Sequence, residues 1–85
     1  MTTMTSADRF VTGGVDTHRD FHVAAALDHL GGVLATAQFP TTMAGYRSLL
    51  SWFAGFGTVD AVGVEGTGSY GAALARHLAQ AGVRV

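Results

Sequence analysis

Residues 59–74, VDAVGVEGTGSYGAAL, commit this chain to strands alternating with helices. Val59–Val64 is a short β-branched run that reads as a strand, and Glu65 closes it. Tyr70, Ala73, Leu74, His77, Leu78 and Ala81 then recur at helical spacing, and Gly82 closes that run. A strand entering a helix through a glycine loop is a building unit of α/β folds. Taken literally, Gly66 to Gly71 spells G-x-G-x-x-G, a dinucleotide-binding fingerprint. Two features oppose that reading. Glu65 puts a negative charge where a pyrophosphate would sit, and the loop follows the fourth strand with no room for an acid about 20 residues on. The glycines read better as a tight turn that leaves Glu65 uncovered. Ser69 then serves as the helix N-cap, and free N–H groups at the helix start can meet a DNA phosphate.

The preceding residues supply three strands and a helix. Phe10–Asp16 (FVTGGVD) reads as a strand ending in an acid, with Gly13 and Gly14 marking a bulge or the close approach of another backbone. Phe21–Leu27 alternates large and small apolar residues, and Asp28–Gly32 is turn chemistry in which paired glycines supply positive φ. Val33–Phe39 alternates Val33, Ala35, Ala37 and Phe39 with Leu34, Thr36 and Gln38, a half-polar pattern that suits an edge strand. Pro40 stops it, and Thr41 or Thr42 caps a helix whose stripe is Met43, Tyr46, Leu49, Leu50, Phe53 and Phe56, ended by Gly57. Val83-Arg84-Val85 begins another strand that stops at the last residue. This reads as a fragment or frameshifted product, with a short native terminal strand as the other reading. The expected order is β-β-β-α-β-α-β, with residues 1–9 a polar lead-in and residues 10–85 a partial domain.

Two tight connections make the first three strands an antiparallel meander, and the helix at 42–56 carries the chain back to lay the fourth strand parallel to the first. If those two pair, Asp16 and Glu65 emerge side by side on strands about 4.8 Å apart, at the strand ends where ligands of open α/β sheets collect. Two such carboxylates can share a divalent cation. They can instead be ordinary solvated strand ends or helix-capping groups.

Composition narrows the classes. With 48% hydrophobic and 13% charged residues in 85, the chain is compact rather than disordered. A net charge of −1 shows no basic footprint, so nucleic acid is neither required nor excluded. The absence of cysteine excludes disulfides, zinc thiolate sites and thiol nucleophiles, and fits a reducing cytoplasm. MTTMTSADRF has no signal-peptide pattern, and no apolar run reaches membrane-spanning length. His18 and His22 invite a zinc reading, but no motif positions a third ligand, so surface or locally bonded histidines are the plainer reading. His77 belongs to the apolar stripe. Arg19 lies just past Asp16, where it reaches either a phosphate or solvent, and Trp52 offers a stacking surface beside core Phe53 and Phe56.

Together, GVDTHRDFHVAAALD, GYRSLLSWFAGFG and VGVEGTGSYGAALARHLAQAGVRV closely resemble the amino-terminal part of insertion-sequence-110 family transposases, the DEDD transposases. The resemblance covers residues 13–85. It implies a ribonuclease-H-like, RuvC-like mixed α/β sheet, here truncated in its fifth strand, and DNA transposition through an Asp-Glu-Asp-Asp tetrad holding Mg2+. By position the first acid is Asp16 and the second Glu65; the third and fourth would lie beyond Val85. The resemblance also implies a separate serine-bearing domain, for which Ser69 is no substitute, together with DNA, an element-encoded guide RNA and homo-oligomerisation of the full-length protein. The expectation is a chain catalytically incomplete by itself. The competing expectation is a non-catalytic module that binds nucleic acid or a protein through the open edge beside its last residues.

Overall fold

A computed structural model describes residues 9–66 and 68–85; residues 1–8 of the expected lead-in and Thr67 of the glycine loop lie outside the described residues. The elements are β1 (Phe10–Thr17), β2 (Phe21–Leu27), β3 (Val33–Pro40), α1 (Met43–Ala54), β4 (Thr58–Glu65) and α2 (Gly68–Gln80). They form one mixed sheet in the order β3-β2-β1-β4. The two meander pairings are antiparallel and β1 pairs parallel with β4. Beyond β4, Arg84 makes a parallel bridge to Ala61, and its carbonyl accepts the Val62 N–H at 2.9 Å. The expected fifth strand is represented by this single bridge beside β4. The α/β architecture agrees with a ribonuclease-H-like order.

The connection after β2 works differently from the expectation. Of its two glycines only Gly31 has positive φ (84°). Asp28 does the remaining work, its Oδ1 accepting the N–H groups of Leu30 at 2.9 Å and Gly32 at 2.8 Å. Those two donors hold the Asp28 carboxyl below its ordinary pKa, because they stabilise the charged form.

Both helices cover one face of the sheet. Leu49 and Phe53 of α1 and Leu74 and Leu78 of α2 pack with Val15, Ala24, Ala26 and Val62 into one buried cluster. The alternation of β1 sends Val11, Gly13, Val15 and Thr17 to this side. Gly13 is glycine because the Phe53 ring occupies the place of a side chain; a Cβ there would lie 2.5 Å from the ring's Cζ. The close approach expected at Gly13 is thus by a ring rather than a backbone. The bulge lies instead in β4, where Asp60 is the extra residue between the pairs Val11–Val59 and Thr12–Ala61.

Thr42 caps α1 as expected, its Oγ1 accepting the Gly45 N–H at 3.0 Å. Gly45 is buried because the Pro40 carbonyl sits where its side chain would be. The helix ends at Ala54, before Gly57, and the N–H groups of Phe56 and Gly57 bond to Phe53 and Ala54 in tighter three-residue turns. Met43 is exposed, at the helix start and off the packed stripe. Ser69 stands inside the first turn of α2 and so is not its cap.

Candidate functional site

Asp16 and Glu65 are Cα partners across the parallel pairing of β1 and β4. Each closes or nearly closes its strand at the carboxyl end, and both are exposed. The strand alternation puts them on the face that neither helix covers. Gly14 and Gly63, also Cα partners, lie one pleat back on that face. With Val23 and Ala25 they floor a shallow hollow of 330 Å3, whose rim carries the two carboxylates.

Thr17 is the residue that sequence reasoning missed. Its side chain turns to the helix side, where it is buried, and its Oγ1 donates to the Glu65 carbonyl at 2.9 Å. This bond ties the ends of β1 and β4 together next to the acids. Gly66 follows with φ 129°, and a Cβ there would collide with Thr17 Oγ1. Gly71, inside α2, lies over Thr17 and Val64, where a Cβ would make ordinary van der Waals contact with both side chains at 3.7 Å. Gly66 and Gly68, the latter at φ 70°, thus have conformational reasons that need no cofactor. A signal for Thr17 existed in the alternation of Val11, Gly13 and Val15, which projects residue 17 inward.

The histidines near the site divide by environment. His18 Nε2 lies 3.2 Å from Asp16 Oδ2, and its ring stacks on Phe21 at 5.2 Å. His22 is fully buried on the helix side and stacks on Tyr46 with centroids 5.7 Å apart. Its Nδ1 accepts the His18 N–H at 3.2 Å, which makes Nε2 the protonated nitrogen, and Nε2 is buried without a partner among the described residues. Burial pushes the His22 pKa below its ordinary 6.5, since the interior disfavours the imidazolium. The two rings are therefore no zinc pair: one orients a carboxylate and the other packs in the core. His77 is half-buried against Tyr46 at 5.5 Å, as its stripe position implied.

Arg19 is exposed in the turn after β1, while Arg84 pairs with Asp60 at 3.2 Å. Trp52 is half-buried, packed by Phe39, Phe53 and Phe56. It belongs to the core margin rather than to the acidic end of the sheet. Among the described residues, no three His, Asp or Glu side chains gather as a metal cluster. No helix among them is long and apolar enough to cross a membrane.

The family model of the insertion-sequence-110 DEDD transposases, described as a transposase, matches residues 13–85. The chain belongs to this DEDD transposase family. No curated protein matches it in sequence. The DEDD transposases act in DNA transposition, with DNA as substrate, and generally use a divalent metal. The matched span contains every described element of the site, from Gly14 through Gly71.

Proposed function

We propose that Asp16 and Glu65 are the first two metal-holding, catalytic acids of a RuvC-like transposase centre that acts on DNA phosphodiesters. The observation that carries this reading is their pairing at the ends of parallel β1 and β4, on the helix-free face and open to solvent. The donor set suits Mg2+, which takes one or two carboxylates and fills its remaining positions with waters and substrate phosphates. The chemistry such an ion supplies is charge stabilisation on the phosphodiester and activation of the attacking oxygen.

The chain's own groups orient and expose that pair. His18 engages Asp16 at Oδ2 and so restricts the rotation of its carboxylate. Thr17 holds the Glu65 carbonyl, and the positive φ of Gly66 turns the chain away before it can cover the site. In this reading the remaining acids of the tetrad come from outside the 85 residues, and residues 10–85 are part of a larger nuclease domain. In the same reading the whole transposase works with a guide RNA and self-associates.

The test joins these residues to the remainder of a family transposase and measures metal-dependent strand cleavage. Asp16→Asn and Glu65→Gln should each abolish cleavage while leaving thermal stability unchanged or slightly higher, because like charges on neighbouring strands repel. Cleavage at the parental rate in either variant would overturn the assignment. A chain that acts only as a binding module would keep its nucleic-acid affinity in both variants and show no dependence on metal.

A further inference from the structure

The edge strand β3 carries a second feature, independent of the acids. Among the described residues no strand pairs with its outer side, so its outward backbone donors and acceptors are free to template another strand. Natural edges are commonly guarded by charge, yet VLATAQFP contains no charged residue. Its guards stand at its two ends: a bulge at Leu34, the residue skipped between the pairs Ala26–Ala35 and Leu27–Val33, and Pro40, which has no N–H to offer. The regular stretch is therefore 35–39, centred on Ala37.

We infer that β3 is a pairing edge for a second copy of this chain, the two strands running antiparallel across a twofold axis at Ala37. An isologous contact requires a surface that complements itself. This register does so on both faces. On the helix side, large Phe39 meets the partner's small Ala35; on the open side, Thr36 meets the partner's Gln38, and Leu34 meets the partner's Pro40. No charge on the strand meets its like.

The flank of α1 leaves space for the incoming strand. Ala44, Ser48 and Ser51 are small, and with Arg47, Trp52 and Phe39 they line an open groove of 700 Å3 beside β3. A larger residue at Ala44 or Ser48 would narrow the space over the added strand. Pairing only short strands buries less than the roughly 1,200 Å2 of stable complexes, so the dimer exchanges with monomer as concentration changes.

The test is sedimentation equilibrium of the 85-residue chain from about 10 μM to about 1 mM, with Thr36→Lys alongside. The chain should shift from monomer to dimer, and T36K should weaken association at least about tenfold by placing lysine on the edge, with an unchanged circular dichroism spectrum. Because the chain has no cysteine, Ala37→Cys provides a single thiol. On mild oxidation it should cross-link into dimers much faster than Ala72→Cys, whose thiol lies on the exposed side of α2. A monomer throughout the range, a dimer indifferent to T36K, or equal cross-linking of the two cysteine variants would overturn the inference.

Discussion

At residue scale, Thr17 and Gly66 form an interlocked pair. The hydroxyl that ties β1 to the Glu65 carbonyl occupies the space a Cβ on residue 66 would need. Thr17→Val keeps the shape but leaves that carbonyl without its donor, and should cost about 1 kcal/mol in urea denaturation. Gly66→Ala adds a collision to a positive φ and should cost about 1–3 kcal/mol. His22 makes stability depend on pH. Its folded pKa is below the unfolded value of 6.5, so the unfolded chain binds the proton first. Stability should be full above pH 6.5, decline as pH falls through the window below it, and level off beneath the folded pKa. Urea midpoints at stepped pH check this, and His22→Gln should flatten that part of the profile. The sequence placed His22 in a strand beside His18, but whether its ring faced solvent or core depended on which face the helices cover.

The elements were the most legible level. Periodicity located the four strands and two helices of the described residues to within a few positions, and Pro40 with Thr42 marked the turn from strand to helix. Less visible was how each element meets its neighbour. Gly13 looked like a bulge because a strand glycine ordinarily weakens its strand, and only the packed arrangement shows the Phe53 ring seated over it. Gly13→Ala should therefore overpack this contact and cost about 1–3 kcal/mol. Phe53→Leu in the same chain should recover part of the loss, a coupling that a double-mutant cycle measures. The end of α1 was misplaced for a related reason: three-residue turns carry the chain on to Gly57 after helical bonding has stopped at Ala54.

At the scale of the whole molecule, the fold keeps one sheet face packed and the other open, and the acids stand on the open one. Mn2+ added to the isolated chain should broaden amide resonances around residues 14–17 and 63–66 by paramagnetic relaxation, weakly and reversibly by chelator, and the Asp16→Asn/Glu65→Gln double variant should remove the effect. Uniform broadening, or broadening centred on Asp28 or Asp60, would place the cation elsewhere. The sequence by itself determined the class of fold, the parallel return of β4 and the position of two acids at strand ends, because periodicity, turn residues and connection length are local properties. Only the tertiary structure decided the Thr17 clamp, the burial of His22, the ring over Gly13 and the pairing of Asp16 with Glu65 as neighbours. Each depends on strand register and on which sheet face the helices occupy. Those are set by the packing of residues far apart in the chain, which no short stretch of it contains.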